Sequence, residues 1–177
     1  MLKRNTMIPA SILILMGVSG TGKTTVGKLL AQQLGWPFFD GDDFHPPANI
    51  AKMSDGIPLT DQDRELWLQA LAGLIEDVKV KGGHAVLAAS LLKRAYRESV
   101  IGERPGIQPV YLKADAELIK TRLQLRKEHF FKADLLLSQF EILEEPSEAE
   151  GALVITVDSP PEVIAARIKA SIAESHG

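Results

Sequence analysis

The sequence predicts an α/β fold in which a five-stranded parallel sheet carries helices on both faces. Three observations support this prediction. Apolar runs of strand length alternate with amphipathic stretches of helix length, a glycine-rich loop joins the first run to the first helix, and 45% of the 177 residues are hydrophobic. Alternating strands and helices favour parallel pairing, because each crossover helix covers a face of the sheet. We expect a single domain over residues 1–177.

The first strand is expected at residues 12–16 and the first helix at residues 23–34. Between them, two glycines separated by four residues and followed by Lys-Thr form the phosphate-binding P-loop pattern. Glycines permit a close backbone approach, and amide N–H groups at a helix N-terminus attract an anion. Lys23 adds a charge at the β- and γ-phosphates, and the Thr24 hydroxyl is a predicted ligand of Mg²⁺. The predicted nucleotide-binding residues are Gly17, Val18, Ser19, Gly20, Thr21, Gly22, Lys23, Thr24 and Thr25.

A short second strand at residues 36–39 ends at an acidic stretch, and we expect it beside the strand that carries the P-loop. Asp40 and Asp42 are two residues apart, so an extended backbone puts both carboxylates on one side. That pairing suits phosphoryl transfer to an alcohol, with Asp40 holding Mg²⁺ and Asp42 orienting or deprotonating the hydroxyl. The alternative is an Asp-rich turn that caps the next helix, which we favour for Asp43.

The remaining elements follow in order along the chain. Residues 44–49 are expected to form a turn-rich connection, and Thr60 to cap a long helix that ends near Val80. Further strands are predicted at residues 85–89, 107–112 and 152–157. Further helices are predicted to start at residues 90–97, to follow a cap at Asp115, to surround residues 135–140 and to close the chain.

A basic segment lies where small P-loop kinases carry a lid, which we place at residues 126–145. Lid arginines neutralise charge on the transferring phosphoryl group and exclude water. Arg122 and Arg126 are the two candidates for this role, and the sequence does not distinguish between them. His129 either serves this lid or caps it. The alternative is a solvated, charged helix face.

Composition excludes several classes of function. The net charge is −3 and the basic residues are dispersed, which argues against a nucleic-acid partner. No run approaches the ~18 apolar residues of a membrane span. The absence of cysteine excludes disulfides and thiolate metal sites. The apolar stretch behind the basic residues 1–6 leads straight into the P-loop, so we expect a cytoplasmic protein rather than a cleaved signal peptide.

Several strings, in order, resemble the thermoresistant-type gluconokinases. They are residues 40–46 (DGDDFHP), 49–53 (NIAKM), 56–68 (GIPLTDQDRELWL), 92–97 (LKRAYR), 129–131 (HFF) and 136–140 (LLSQF). The resemblance implies a nucleoside-monophosphate-kinase-like fold, ATP and Mg²⁺, phosphorylation of the 6-hydroxyl of D-gluconate, and a homodimer. The family usually has Cys-Ser-Ala-Leu-Lys where this chain has residues 89–93, ASLLK, so Leu91 is bulkier than the family's alanine.

Gluconate is a polyol with one carboxylate, so its site needs a cation and several hydrogen-bonding groups. The cations expected near the ligand edge are Arg64, Lys93 and Arg97. The groups expected to serve hydroxyls are His45, Ser90 and Gln139, with Asp42 at the reacting hydroxyl and His129 from the lid. Two alternatives stay open: a kinase for another small acid such as shikimate, and a nucleotide-binding regulatory module without catalysis.

Overall fold

The computed structural model describes residues 10–125 and 133–174, with the backbone alone at residues 122–125 and 133–134. Five strands form one parallel sheet in the order β2-β3-β1-β4-β5. The strands are β1 Ile12–Met16, β2 Phe38–Asp40, β3 Ala85–Ala88, β4 Ile107–Lys113 and β5 Leu153–Thr156. The predicted α/β class and parallel sheet are confirmed.

Seven α-helices are found in the described part of the chain. They are α1 Lys23–Leu34, α2 Pro47–Ser54, α3 Asp61–Val80, α4 Arg94–Val100, α5 Ala116–Leu125, α6 Ala133–Ile142 and α7 Pro161–Glu174. Alternate residues of β1 face opposite sides of the sheet, as the period of a strand requires. Ile12 and Ile14 pack in the core with α3 and α4, whereas Leu13 and Leu15 pack with α1 and α7. Helices therefore cover both faces.

Two features of the acidic region differ from the predictions. First, β3 lies between β1 and β2, so the P-loop strand is not the neighbour of the strand that ends at Asp40. Second, the expected turn-rich connection contains a 3₁₀ turn at Gly41–Phe44 and then helix α2. Pro47 stands at the first helical position of α2, where a missing N–H costs nothing because that group has no partner inside a helix. A proline-rich stretch thus begins a helix here instead of preventing one.

Helix α3 begins with the predicted cap. Thr60 Oγ1 accepts a hydrogen bond from the Asp63 amide at 3.2 Å, and Asp63 Oδ2 accepts one from the Thr60 amide at 2.8 Å. This reciprocal capping box satisfies two donors that a helix start leaves without partners. Lys52 Nζ binds Asp63 Oδ1 at 2.7 Å and so ties the end of α2 to the start of α3. The resulting start of α3 places the next residue, Arg64, toward the sheet edge.

The 3₁₀ turn after β2 packs against the end of β3 at backbone distance. A Cβ on Gly41 would lie 2.7 Å from the carbonyl oxygen of Ala88 and 3.0 Å from Ala89 Cβ. From the other side, Trp67 Nε1 donates to the Gly41 carbonyl at 2.7 Å. Asp40 and Asp42 flank this glycine, so their positions depend on a contact that no larger residue can make.

Replacing Gly41 with alanine should destabilise the chain by about 1–3 kcal/mol, the usual cost of forcing an extra methyl group into packed structure. Gly73 provides the control, because it lies inside α3 and a Cβ there meets nothing within 4 Å. Gly73→Ala should be stabilising by about 0.5–1 kcal/mol through helix propensity. Urea unfolding of both variants measures the two effects, and equal stabilities would contradict the packing argument.

Candidate functional site

A cleft of about 710 Å³ opens at the carboxyl edge of the sheet. In open α/β sheets this edge is where ligands bind. The cleft lies between the P-loop, the end of β2, helices α2 and α3, the turn after β3, and α6. Most of the predicted site residues line it, namely Ser19, Gly20, Gly22, Lys23, Thr24, Thr25, Asp40, Asp42, His45, Arg64, Ser90 and Gln139.

The P-loop has the backbone geometry that its glycines predict. Gly17, Gly20 and Gly22 have φ values of 138°, 85° and 91°, in the region that favours glycine. A Cβ on Gly17 would also lie 2.7 Å from the Leu112 carbonyl oxygen at the end of β4. The loop therefore packs against the sheet edge immediately before the start of α1.

Two other predicted members of the loop are buried instead of facing the cleft. Val18 is 2% exposed and packs with Leu92, Ile119 and Leu136. Thr21 is 1% exposed, and its hydroxyl donates to the Val18 carbonyl at 3.0 Å. Their side chains stabilise the shape of the loop, and only their backbone groups are left to contact a phosphate.

Lys23 carries the positive charge of the loop. Its Nζ donates to the Val18 carbonyl at 2.9 Å. Desolvation lowers the Lys23 pKa to about 8, and the charges of Asp42 and Asp40 oppose this change. An anion near Nζ would favour the charged form, since an opposite charge offsets the cost of desolvation.

Asp40 and Asp42 are brought together by a short hydrogen-bond chain. Thr24 Oγ1 donates to Asp40 Oδ2 at 2.9 Å, and the Asp42 amide donates to Asp40 Oδ1 at 3.1 Å. Asp42 is exposed in the cleft, yet its carboxyl pKa is raised, first by partial desolvation and then by the charge of Asp40. A raised pKa makes the Asp42 carboxylate a better proton acceptor than an ordinary aspartate.

Thr24 and Asp40 fit a magnesium ion that is also coordinated by a nucleotide. The described residues contain no cluster of three or more His, Cys, Asp or Glu side chains able to hold a metal by themselves. The Thr24 hydroxyl and Asp40 carboxylate nevertheless adjoin at the start of α1. Mg²⁺ commonly takes one or two protein oxygens and completes its shell with phosphates and water. The donor set therefore suits Mg²⁺ held jointly with a phosphate chain.

His45 lies on the acceptor side of the cleft and is held in one tautomer. Its ring stacks on Trp67 with centroids 4.6 Å apart. Asn49 Nδ2 donates to the Asp63 carbonyl at 2.7 Å and lies 3.2 Å from His45 Nδ1. The bond to the Asp63 carbonyl identifies Asn49 Nδ2 as the amide nitrogen, which can only donate. His45 Nδ1 therefore accepts, and His45 Nε2 carries the proton. Burial and the nearby Arg64 charge lower the His45 pKa to about 4, so the ring is a neutral donor.

Arg64 presents a buried donor to the same cleft. Its Nε is enclosed and, among the described residues, has no hydrogen-bond partner. Its guanidinium lies over the Tyr96 ring at 5.6 Å. An enclosed donor without a partner is costly, whereas a bound carboxylate oxygen would satisfy it and pair with the charge.

Gln139 contacts the P-loop. Its Oε1 accepts from the Ser19 amide at 2.7 Å, and its Nε2 donates to the Ser19 hydroxyl at 3.0 Å. Both ends of the predicted hydroxyl-binding amide are thus used on the loop. The contact joins α6 to the phosphate side of the cleft.

The structure does not bring Lys93 and Arg97 into the cleft. Lys93 Nζ binds both carboxylate oxygens of Asp61 at 2.8 Å. Arg97 is 4% exposed and is paired with Glu150. Both cations are paired with carboxylates distant in sequence, and neither lines the cleft. This placement differs from the predicted one, in which both lay at the ligand edge.

The lid predictions fall largely on residues outside the part of the chain that the structure describes. Arg126 and His129 lie outside the described residues. Arg122 belongs to α5, and at this position the structure describes the backbone alone. Residues 133–142 at the end of the predicted lid form α6, from which Leu135, Ser138 and Gln139 line the cleft.

Sequence reasoning missed one wall of the cleft. This wall is formed by α2 and the segment after it, with Ile50, Met53, Ser54, Pro58 and Leu59. Ile50 and Met53 are three residues apart behind a proline, a spacing that predicts one face of a helix. Trp67 and Ala88 complete the floor.

The chain is similar to proteins of known activity over most of its length. Residues 19–173 match the shikimate kinase family. A gluconokinase of Gluconobacter oxydans is 46% identical over 86% of this chain and 85% of its own, and the thermoresistant gluconokinase of Escherichia coli is 43% identical over 88% and 89%. The crystal structure of a gluconokinase from Sinorhizobium meliloti superposes with a TM-score of 0.82 at 38% identity, covering 95% of this chain and 94% of that one. Within the described residues, no helix is long and apolar enough to cross a membrane.

The neutral His45 predicts a pH dependence of stability. Its folded pKa of about 4 lies below the ordinary value of 6.5, so between these values the unfolded chain binds a proton that the folded chain excludes. Its contribution to stability is complete above pH 6.5 and is lost as the pH falls toward 4. The wild type should lose up to about 3 kcal/mol more than His45→Gln over this window. Urea unfolding at a series of pH values measures the difference, and parallel curves would argue against a buried neutral ring.

Proposed function

Since this chain belongs to the gluconokinase family, within the wider shikimate kinase family, we propose that it transfers the γ-phosphate of ATP to the 6-hydroxyl of D-gluconate. The observation that carries the proposal is that one cleft combines a P-loop with an enclosed Arg64 Nε that has no hydrogen-bond partner among the described residues. The P-loop suits a triphosphate, and the arginine suits the carboxylate of a sugar acid.

The donor half of the site consists of the P-loop and the end of β2. The loop amides and the N-terminus of α1 bind the phosphates, and Lys23 neutralises charge at the β- and γ-groups. Thr24 and Asp40 would hold Mg²⁺, whose charge would further stabilise the phosphate chain. The catalytic lid arginine, Arg122 or Arg126, remains a proposal carried from the sequence.

The acceptor half lies between Asp42 and Ser90. Asp42 accepts the proton of the gluconate 6-hydroxyl while the oxygen of that hydroxyl bonds to the γ-phosphorus. The bond between the γ-phosphorus and the β–γ bridging oxygen breaks, and ADP is released. Arg64 pairs with the gluconate carboxylate. His45 Nε2–H and the Ser90 hydroxyl bind substrate hydroxyls, and such polar contacts discriminate against analogues that lack them.

A shikimate kinase is the second candidate, because residues 19–173 match that family. Shikimate also presents a carboxylate and hydroxyl groups, so Arg64 and Asp42 would serve it in the same roles. The chain is 43–46% identical to the two gluconokinases described above, and this similarity supports gluconate as the substrate. The homodimer implied by the family resemblance and the cytoplasmic location expected from the N-terminal sequence remain proposals, and analytical ultracentrifugation tests the first.

Acceptor-dependent ADP release is the experiment that tests the function. Purified protein with ATP and Mg²⁺ should release ADP with D-gluconate and much less with shikimate or other sugar acids. Turnover with shikimate alone would replace the proposed substrate. Tight ATP binding without product for any small alcohol would instead favour the regulatory module.

Asp42→Asn should lower kcat by about 10²–10⁴-fold, the usual contribution of a positioned general base. The variant keeps the size of the side chain and should still bind ATP, because the P-loop is untouched. Asp43→Asn is the matched control, since Asp43 is adjacent and exposed but does not line the cleft. Steady-state kinetics together with a nucleotide-binding titration measure both effects. Equal turnover in the two variants would remove Asp42 from the mechanism.

Arg64→Gln should raise the KM for gluconate by about 10–100-fold, as expected for a lost charged hydrogen bond. The KM for ATP should change little. Arg94→Gln is the control, because Arg94 pairs with Glu98 on an exposed face of α4. A gluconate KM that is unchanged in Arg64→Gln would assign the carboxylate to another residue.

A further inference from the structure

The turn between β3 and α4, residues 89–93, supports the acceptor half of the site in two ways. Ser90 lines the cleft directly. Three residues later, Lys93 holds the Asp61 carboxylate through both oxygens at 2.8 Å, and the Tyr96 hydroxyl donates to Asp61 as well. Asp61 is the first residue of the helix that carries Arg64. The backbone of this turn therefore positions Ser90 directly and Arg64 indirectly, through α3.

The centre of the turn is strained. Leu91 has a φ of 28° and is the single non-glycine residue with positive φ among those described. This region is unfavourable for an L-amino acid because Cβ approaches the following carbonyl oxygen. The Leu91 side chain is 1% exposed in the core with Trp67 and Tyr96, so it cannot leave that position freely. Strained residues persist where the surrounding structure holds them, and they are frequent at functional sites.

Arg97 is the residue that holds this backbone. Its Nη1 donates to the carbonyls of Leu91 at 3.1 Å, Leu92 at 3.2 Å and Glu144 at 2.9 Å. Its Nε and Nη2 bind the two carboxylate oxygens of Glu150. The fork of a guanidinium can serve a carboxylate and several carbonyls at once, which a lysine ammonium cannot. A buried charge with so many partners is costly to disturb.

We propose that Arg97 is a positioning residue for the acceptor substrate: by binding the Leu91 and Leu92 carbonyls it keeps Ser90 and, through Lys93 and Asp61, Arg64 in the arrangement that recognises the sugar acid. Arg97 itself does not touch the substrate. The proposal rests on the proposed kinase function and assigns a function to a cation that lies outside the cleft.

The test is the effect of Arg97→Lys on the two Michaelis constants. The KM for gluconate should rise about tenfold, the factor that corresponds to loss of one good hydrogen bond to the substrate. The KM for ATP should stay within about twofold, because the P-loop is held by other contacts. A purely structural residue would behave differently: its loss would lower the fraction of folded enzyme and hence the apparent kcat, and would leave both KM values unchanged.

Arg104→Lys is the matched control. Arg104 pairs with Glu76 at 2.6 Å and donates to the carbonyls of Val100 at 3.2 Å and Ile101 at 3.4 Å, a similar network beyond the far end of α4. Neither KM should change in this variant. Glu150→Gln is a milder change at the Arg97 network, since it keeps shape and acceptor oxygen, and it should raise the gluconate KM by a smaller factor. It also serves if Arg97→Lys does not fold.

Two results would overturn the proposal. One is an unchanged gluconate KM in both Arg97→Lys and Glu150→Gln, and the other is an equal rise in the ATP KM. If the wild type uses shikimate instead of gluconate, the proposed substrate is wrong, and the same KM comparison with shikimate still decides the role of Arg97. Amide hydrogen exchange tests the restraint without any substrate: exchange at residues 91–93 should be faster in Arg97→Lys and not in Arg104→Lys, and equal exchange would contradict it.

Discussion

The hydrogen bond from Thr24 Oγ1 to Asp40 Oδ2 joins two segments that the sheet keeps apart. Since β3 separates β1 from β2, the P-loop and the acidic turn approach each other only because α1 crosses β3 and packs on β2. Gly27 makes this crossing close, because a Cβ there would lie 2.6 Å from the Phe38 ring. The cleft, its two carboxylates and the fit to Mg²⁺ all depend on that approach.

The first turn of α3 shows how closely support and recognition are combined. Asp61 binds Lys93, Asp63 caps the helix and binds Lys52, and Arg64 faces the cleft. The hydrogen bond from Lys52 lowers the Asp63 pKa to about 2, with further hydrogen bonds from Thr60, so this carboxylate stays charged at a lower pH than an ordinary aspartate. Asp61 and Asp63 are thus paired, whereas Arg64 Nε has no hydrogen-bond partner in the part of the chain that the structure describes and is available to a ligand.

Sequence reasoning succeeded where local pattern determines structure. The P-loop, α1 and the Thr60 cap follow from glycine positions, helix periodicity and capping chemistry within a few residues. It failed where the outcome depends on a distant partner: Arg97 and Lys93 follow a strand as a substrate-binding cation would, but Glu150 and Asp61 lie 53 and 32 residues away. The strand order failed for the same reason, since local pattern carries no information on which strand is inserted between two others.

The contact between Gln139 and Ser19 has a thermodynamic consequence. Helix α6 holds the phosphate side of the cleft through Gln139, while Leu135 and Ser138 of the same helix line the cleft as well. A ligand that displaces α6 therefore changes the affinity of the protein for the other ligand. Linkage requires this effect to be reciprocal, so cooperativity between nucleotide and acceptor can arise from the position of one helix.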